Sequence, residues 1–346
     1  MTTLLLTGLA LTAVVCASLT AAVIPLLRRA RVVDVPGDRS LHRTPVPRGG
    51  GLAIVLAASL ATWTAVLAAV HLQGAVHAMS GVDVALMGLA TVLAFALLGL
   101  IEDLFSMSVR TRLVLQLVLG AGLGLVAHSA FEVSLWWTPA ICVGTAALVN
   151  ATNFMDGANG LACGHALLTS LWYVQVAAVA PVAGLGLVMV SVAGACLGFL
   201  PFNTPRAKVF LGDSGSYALG SAWAFAVTAC LSRGVAVEAA LAPVLVLLAD
   251  TGYTLWMRLR AGQCWYAPHR LHVYQRLVCA GWPHWASALL VTLAAASCST
   301  LAAGSLLTSN RLWMPQLAMA AVLILYLKMP SIIGAPNPFP TLRRAR

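Results

Sequence analysis

The sequence is short of charge. Only 9% of its 346 residues are Asp, Glu, Lys or Arg, whereas 60% are hydrophobic. Soluble globular proteins carry about 25% charged residues, so a soluble protein is excluded. Acids are the scarcer kind, with ten Asp and Glu against twenty Lys and Arg. The basic residues lie in loops between apolar runs, so their excess over acids indicates contact with a negatively charged membrane surface. No nucleic-acid partner is expected.

Cysteines at metal-ligand spacing are also missing. The eight cysteines form no Cys-x-x-Cys motif, and most of them lie inside apolar runs. The sequence therefore predicts neither a disulfide framework nor a zinc site.

Long charge-free runs divide the chain into membrane spans. A spanning helix needs about 20 apolar residues, and this criterion predicts an all-α polytopic membrane protein with eleven transmembrane helices. They are placed at residues 3–27, 50–71, 83–101, 111–129, 136–153, 161–180, 183–202, 214–231, 236–257, 285–307 and 311–328. The spans form a single integral-membrane domain, residues 1–330, and a basic cytoplasmic tail follows at 331–346.

The basic loops predict the orientation. With the N-terminus outside and the C-terminus inside, 18 of the 20 Lys and Arg residues fall on the inner side, and only Arg233 and Arg311 fall outside. Positively charged loops stay in the cytoplasm. The outer loops are short and nearly without charge, so an active site is expected on the cytoplasmic face.

Four acids gather at the predicted inner edge of the membrane. Glu102 and Asp103 end the third helix, Asp156 follows the fifth and Asp213 precedes the eighth. A helix C-terminus is already negative, so Glu102 and Asp103 indicate either a Mg²⁺ or proton-handling site or solvated loop acids. Asp156 either lines a cavity at membrane depth or belongs to an ordinary turn. Asp213 is either a helix N-cap or part of a phosphate cradle that holds a metal.

The loop after the ninth helix carries a second polar group. Pro268 suits the first turn of a helix, and at about 100° per residue His269, His272 and Arg276 then share one face. This pattern predicts an amphipathic interfacial helix that presents these side chains to phosphate. A plain basic interfacial helix is the alternative, and zinc is less favoured because no Cys or third His stands at ligand spacing.

Further candidates for substrate contact lie in the other inner loops. Arginines of the first inner loop can hold phosphate bidentately, although anchoring on the inner surface explains them equally well. The candidates in that loop are Arg39, Arg43, Arg48 and His42, followed by three glycines at 49–51. The remaining candidates are Asn153, Asn159, Asn203, Lys208 and Arg270.

These stretches, in this order, resemble the polyprenyl-phosphate N-acetylhexosamine-1-phosphate transferases, in particular the O-antigen-initiating branch. The matching stretches cover most of the chain: 39–51, Glu102-Asp103 with 109–113, 150–162, 203–220, Asp250 before Arg258, and 269–276. Two departures stand out. Glu102 replaces the first Asp of an aspartate pair, which leaves its role open, and Asn159 replaces an Asp, so it can donate hydrogen bonds but cannot act as a base. The histidine stretch differs from the peptidoglycan branch, which argues against a muramoyl-pentapeptide substrate.

The resemblance implies an enzyme of the bacterial inner membrane, among that membrane's lipids. It would transfer an N-acetylhexosamine-type sugar 1-phosphate from a UDP-sugar, either UDP-N-acetylhexosamine or a 6-deoxy relative, to undecaprenyl phosphate. UMP would be released, and the lipid product would initiate a cell-surface polysaccharide such as lipopolysaccharide O-antigen. Mg²⁺ is the implied cofactor, with Mn²⁺ as an alternative. A homodimer is one assembly left open.

The resemblance also implies roles for the polar residues, with Glu102, Asp103, Asp156 and Asp213 as the catalytic set. Asp213 is the leading Mg²⁺ ligand, and Asp103 shares the ion and deprotonates or positions the lipid phosphate. Asp156 and Asn153 bind the nucleotide-sugar, and His269, His272 and Arg276 hold its diphosphate. One-step transfer and a covalent carboxylate intermediate both stay open.

A transporter or channel is the rival from another functional class. Transporter sites lie near the bilayer midplane on broken helices, whereas among the acids discussed only Asp250 lies deeper than the inner edge. Detection of UMP release would separate the two.

Overall fold

Helices make up nearly all of the protein, as the apolar runs predict. The computed structural model describes residues 2–37, 41–42, 44–73, 75–180, 182–264, 266–267, 269–307 and 313–336. The helices are α1 (Thr2–Arg29), α2 (Gly51–Gln73), α3 (Ala75–Phe105), α4 (Val109–Phe131), α5 (Thr138–Phe154), α6 (Leu161–Val179), α7 (Leu185–Asn203), α8 (Gly212–Ser232), α9 (Val237–Leu241), α10 (Leu245–Arg260), α11 (Val273–Cys279), α12 (His284–Ala302), α13 (Gly304–Leu307) and α14 (Trp313–Ile332). Two short strands, β1 (Val33–Asp34) and β2 (Val46–Pro47), pair antiparallel in the first loop.

Nine helical segments of the described chain are long and apolar enough to cross a membrane. They are 3–29, 51–71, 81–105, 109–131, 161–179, 185–203, 237–260, 284–306 and 313–332. The polytopic all-α class is thereby confirmed. The fifth and eighth predicted spans are also helical, as α5 and α8, but α5 has only 17 residues and α8 is rich in Gly and Ser at its start. The count of eleven and the orientation stay predictions.

Helix α8 lies at the centre of the bundle. Every residue from Gly212 to Cys230 is buried, with α3 and α5 packed on either side. Because α8 meets protein on all sides, it needs no apolar face toward lipid, which explains how Ser214, Ser216 and Ser221 are accommodated there. Lipid-facing positions are instead exposed on outer helices such as α1 and α14, where Leu4 and Leu325 are among the exposed apolar side chains.

The ninth predicted span is interrupted. A 3₁₀ turn at Ala242–Val244 separates α9 from α10, and Pro243 stands in this turn, where its missing N–H breaks the helical ladder. The continuous helix predicted at 236–257 is therefore wrong in this detail. Four residues from the sequence analysis, Arg39, Arg43, Pro268 and Arg311, lie outside the described residues, as does the tail from residue 337.

Candidate active site

The loop before α2 lies directly against the start of α8. Phe210 donates its backbone N–H to the Pro47 carbonyl (2.8 Å), and Gly51 donates to the Leu211 carbonyl (2.8 Å). A Cβ on Gly51 would lie 2.3 Å from the Gly215 Cα, so only glycine allows this approach. The run of glycines at 49–51 thus serves to bring the Arg48 side chain to the first turn of α8.

Arg48 joins two of the predicted acids. Its Nε lies 3.0 Å from Asp103 Oδ1, and its Nη2 lies 2.8 Å from Asp213 Oδ1. Burial lowers the pKa of Arg48, but the charges of Asp213 and Asp103 more than offset this effect, so the pKa is raised overall. Arg48 therefore holds the two carboxylates together as a permanent cation.

Asp103 caps α8 from a distance of more than one hundred residues in sequence. Asp103 Oδ1 accepts the backbone N–H of Asp213 (3.0 Å), and Oδ2 accepts that of Ser214 (2.9 Å). Gly212, at φ +79°, turns the chain into this contact, and a Cβ there would lie 2.9 Å from Asp103 Oδ2. The interpretation of Asp213 as the N-cap is therefore wrong, because Asp213 lies inside the first turn of α8 and Asp103 satisfies the helix N–H groups.

Asp213 keeps one carboxylate oxygen available. Asn153 donates its Nδ2 to Asp213 Oδ1 (2.7 Å) and to Ser216 Oγ (3.0 Å). Among the described residues, the hydrogen bonds and ion pairs of the Asp213 side chain all end on Oδ1, so Oδ2 remains for a ligand. The side-chain oxygen of Asn153, Oδ1, likewise has no protein donor among them.

Asp156 stands beside this group in the turn between α5 and α6. Burial raises its pKa well above the usual aspartate range, the charge of Asp213 raises it further, and Arg48 only partly compensates. A cation bound beside Asp156 would favour the ionised form of its carboxyl. We refer to Arg48, Asp103, Asn153, Asp156 and Asp213 as the carboxylate cluster.

Glu102 is turned away from this cluster although it neighbours Asp103. Its Oε2 accepts the backbone N–H of Met107 (3.0 Å), and its Oε1 pairs with Arg112 Nη1 (3.2 Å). Glu102 thus fastens the turn between α3 and α4. Its predicted catalytic role stays a prediction, and its contacts correspond to the alternative interpretation as a loop acid near arginine.

The histidine loop differs from the helix predicted there. Helix α11 begins only at Val273, with His272 as its N-cap at φ −60° and ψ 150°, so His269 precedes the helix and the shared helical face is wrong. His272 donates its backbone N–H to Gln275 Oε1 (3.2 Å), and the Val273 N–H goes to Asp250 (3.2 and 3.1 Å). These bonds fix the start of α11 at Val273, later than the sequence pattern predicts.

The two histidines nevertheless come together. Their ring centroids lie 4.9 Å apart, and His272 Nδ1 lies 3.0 Å from Asp250 Oδ1. Burial lowers the pKa of His269 to about 4, and the neighbouring His272 and Arg258 act in the same direction. We refer to Asp250, His269, His272 and Tyr274 as the histidine cluster.

Tyr274 connects the two clusters. It is fully buried, and its hydroxyl donates to the Phe154 carbonyl (2.9 Å), two residues before Asp156. A Cβ on Gly157 would lie 2.1 Å from that hydroxyl, so the glycine after Asp156 makes room for the tyrosine. The histidine loop and the turn that carries Asp156 are therefore held against each other.

The remaining predicted contacts occupy the surrounding loops. Asn203 is used as a brace, because it accepts the Gly160 N–H (2.7 Å) and donates to the Val209 carbonyl (3.0 Å). Asn159 donates its side-chain amide to the Pro205 carbonyl (3.1 Å). His42 packs edge-on against Phe210 (4.9 Å). The basic candidates are directed to other groups: Lys208 to the Phe202 ring, Arg270 to the Gly37 carbonyl and Arg276 to the Pro336 carbonyl.

Comparison with known proteins gives the family. The model of Glycosyl transferase family 4 matches residues 85–231, from α3 to α8. Decaprenyl-phosphate N-acetylglucosaminephosphotransferase of Mycobacterium leprae is 31% identical over 307 residues, 78% of this chain and 75% of that protein. The chain belongs to the polyprenyl-phosphate N-acetylhexosamine-1-phosphate transferases. It is also similar to a probable undecaprenyl-phosphate N-acetylglucosaminyl 1-phosphate transferase of Bacillus subtilis (27% identity; 78% and 77% of the two chains) and to a phospho-N-acetylmuramoyl-pentapeptide-transferase of Desulforudis audaxviator (32% identity; 57% and 68%).

The carboxylate cluster of this transferase offers the few carboxylate oxygens that Mg²⁺ uses together with waters and substrate phosphates. The described residues contain no group of three or more His, Cys, Asp or Glu able to enclose a metal. Mg²⁺ needs no such cage, since it keeps several waters and combines one or two carboxylates with substrate phosphates. Asp213 Oδ2, which receives no protein donor among the described residues, is the oxygen that would hold the ion, and Asp156 lies near enough for the charge of Asp213 to act on it. Both oxygens of Asp103 already accept hydrogen bonds from α8, which suits a structural role. Its predicted role as a second metal ligand stays a prediction.

The sequence analysis gave no specific role to three residues of the site, Arg48, Asp250 and Tyr326. Arg48 was considered only as one of several phosphate-binding arginines, and nothing in the pattern distinguishes it from its neighbours. Asp250 carried a usable signal, because an acid inside a membrane span is a functional candidate by default. Tyr326, whose hydroxyl lies 2.7 Å from Asp250 Oδ2, gave no signal, since a single tyrosine in an apolar span is unremarkable.

Proposed function

We propose that this transferase moves N-acetylglucosamine 1-phosphate from UDP-N-acetylglucosamine to undecaprenyl phosphate and releases UMP. The observation that carries the proposal is the available oxygen of Asp213 beside Asp156, at the start of a buried helix. The choice of donor and lipid follows the names of the mycobacterial and Bacillus relatives, which specify polyprenyl phosphates and N-acetylglucosamine.

The reaction joins two anionic phosphates, so charge is the main barrier. An oxygen of the lipid phosphate attacks the β-phosphorus of the UDP-sugar, the bond to the bridging oxygen breaks, and UMP leaves. Mg²⁺, when bound, would neutralise the phosphate oxygens. Arg48 and Asn153 hold the Asp213 carboxylate in one orientation, and Asp103 anchors the helix turn that carries it. Preorganised groups of this kind need no rearrangement as charge develops.

The donor diphosphate would lie between the two clusters. His269, His272 and Arg276 are the groups proposed to hold it, and Tyr274 keeps their loop beside Asp156. In this proposal Asp156 and the side-chain oxygen of Asn153 (Oδ1) contact the nucleotide-sugar. A direct displacement is proposed over a covalent carboxylate intermediate, because Asp103 has both oxygens engaged. Exchange of labelled UMP into UDP-sugar without any lipid acceptor would contradict this choice.

The test is UMP release by the purified full-length protein in detergent. Undecaprenyl phosphate is supplied with UDP-N-acetylglucosamine, UDP-N-acetylgalactosamine, a 6-deoxy UDP-sugar or UDP-N-acetylmuramoyl-pentapeptide. The expected result is UMP and a lipid-linked sugar with UDP-N-acetylglucosamine, and none with the pentapeptide substrate. A folded protein that releases UMP with none of the four donors would overturn the proposal and return the transporter to consideration.

The lipid product would begin a cell-envelope polysaccharide of the bacterial inner membrane. O-antigen is the destination that the histidine stretch predicts, and it stays a prediction. Deletion of the gene should therefore remove one polysaccharide from the cell surface, and a plasmid copy carrying the Asp213→Asn substitution should fail to restore it.

A further inference from the structure

Asp250 is a completely enclosed acid inside a membrane helix. Its exposed fraction is 0%, and donors surround both oxygens. Oδ1 receives His272 Nδ1 (3.0 Å) and the Thr254 hydroxyl (3.2 Å), Oδ2 receives the Tyr326 hydroxyl (2.7 Å), and the Val273 N–H reaches both. A buried carboxylate without such bonds would be strongly destabilising. Asp250 is therefore the point at which α10, α14 and the histidine loop are joined.

This arrangement determines which nitrogen of His272 is available. The Tyr326 hydroxyl and the Val273 N–H both donate to Asp250, which therefore acts as an acceptor, so we assign the proton of the His272–Asp250 contact to Nδ1. Nδ1 is engaged by Asp250, so Nε2 is the nitrogen left for a ligand, although the His272 side chain is only 3% exposed. The imidazole stacks on Phe154 with 6.1 Å between ring centroids, and the tilted His269 ring lies 4.9 Å away.

Tyr326 makes the shortest of the hydrogen bonds to Asp250. It lies on α14, whose buried residues are Met319, Tyr326 and Pro330, while Leu325 beside it is 60% exposed. Tyr326 itself is 2% exposed. Without its hydroxyl, Oδ2 would keep only the Val273 N–H, and the carboxylate could rotate away from His272. Helix α14, which is mostly exposed, thus contributes the Tyr326 hydroxyl to the hydrogen bonds around Asp250.

We propose that Tyr326 is a positioning residue of the transferase, which acts through Asp250 to hold His272 with Nε2 toward the donor phosphates. The identity of the group that Nε2 contacts rests on the proposed function, whereas the hydrogen bonds among Tyr326, Asp250 and His272 do not. Asp250 and Tyr326 touch no substrate in this account. The alternative is that the three residues merely brace the bundle.

The first test is a double-mutant cycle in the UMP-release assay. Tyr326→Phe should lower kcat about tenfold, as expected for loss of one hydrogen bond to a charged group. In the His272→Gln background the same substitution should cost less than about twofold, because the residue through which Tyr326 acts is gone. A tenfold loss in both backgrounds would overturn the proposal and leave a structural brace.

The matched control breaks another hydrogen bond of the same helix. Gln316 Nε2 donates to Glu238 Oε1 (3.1 Å) at the other end of α14. Gln316→Met should change kcat less than about twofold, with at most a small loss of thermal stability, because its hydrogen bond is exposed. A loss of kcat in Gln316→Met equal to that in Tyr326→Phe would count against a specific role for Tyr326.

The second test needs no activity and therefore separates this proposal from the proposed function. The full-length protein is labelled with ¹⁵N-histidine, and the His272 signals are identified by their loss in His272→Gln. Wild-type protein should show His272 protonated at Nδ1, and Tyr326→Phe should shift it toward the Nε2–H form. If Tyr326→Phe does not fold, Asp250→Asn serves in its place and should shift the same signals. Unchanged His272 signals in the folded variant would overturn the proposal even if the protein releases UMP.

Discussion

The carboxylate cluster and the histidine cluster lie next to each other but are built in opposite ways. Asp213 is held on one oxygen and keeps the other for a ligand, whereas Asp250 is bonded on both oxygens and has no exposed surface. We propose that the first acid meets a charged ligand and that the second holds a side chain that meets the same ligand. The hydrogen bonds of the two aspartates therefore differ, with one oxygen of Asp213 left free of protein donors and both oxygens of Asp250 bonded.

Loss of the available oxygen in the carboxylate cluster should have the largest effect. Asp213→Asn keeps the size of the side chain but removes the charge that would bind Mg²⁺, and turnover should fall at least about 100- to 1,000-fold. UMP release across a range of Mg²⁺ concentrations is the measurement. Asp83→Asn, at an exposed acid of α3, is the control and should keep its activity. Substantial Mg²⁺-dependent turnover in Asp213→Asn would show that the cluster does not hold the metal through this residue.

The cation that joins the acids should come next. Arg48 contacts Asp103 through Nε and Asp213 through Nη2, a two-pronged contact that the single ammonium of lysine cannot reproduce. Arg48→Lys should therefore lower kcat about 10- to 100-fold. Arg29→Lys, at the end of α1, is a matched substitution away from the cluster and should leave kcat unchanged. Equal activity of Arg48→Lys and wild type would mean that charge alone, without the bridge, is sufficient.

The comparison also shows what the sequence could predict. Asp103, Asp156 and Asp213 stand at or next to helix ends, and helix ends follow from apolar periodicity, so their shared location at one end of the bundle was predictable. Their hydrogen bonds were not, because Asp103 reaches the N–H groups of α8 across more than one hundred residues. The alternative interpretation of Asp213 as the N-cap of its own helix is excluded for this reason.

The histidine cluster was less predictable because its conformation depends on distant partners. The helical face assigned to His269, His272 and Arg276 assumed that local pattern decides where α11 begins. Asp250 instead accepts the Val273 N–H, and Tyr274 is buried with its hydroxyl on the Phe154 carbonyl. Tertiary bonds overrode local preference here. The apolar spans, in contrast, were predictable because their length is set by the membrane.

A moderate effect is expected at the edge of the histidine cluster. Arg276 lies one turn after His272, and its Nε has no partner among the described residues, so it retains a donor for phosphate. Arg276→Ala should weaken UDP-sugar binding about tenfold, and Arg276→Lys should recover little of it. Calorimetric titration of the purified variants with UDP-sugar measures this directly. Arg260→Ala, which removes an arginine stacked on Trp256 (4.4 Å), is the control, and unchanged affinity in Arg276→Ala would leave this arginine an anchor to the membrane surface.

The smallest effect should come from Glu102, and it tests whether adjacency to Asp103 means a shared function. Glu102 is bonded to the Met107 N–H and to Arg112, and both contacts belong to the turn between α3 and α4. Glu102→Gln retains an oxygen for the Met107 N–H, so kcat should change less than about threefold, with only a modest loss of thermal stability since partly exposed ion pairs contribute little. Asp103→Asn should cost far more, because one of its oxygens would be replaced by an amide that faces the N–H groups of α8. The measurement is kcat and thermal stability of the two variants side by side. A larger loss of kcat in Glu102→Gln would place Glu102 in the carboxylate cluster and assign Asp103 to the structural role.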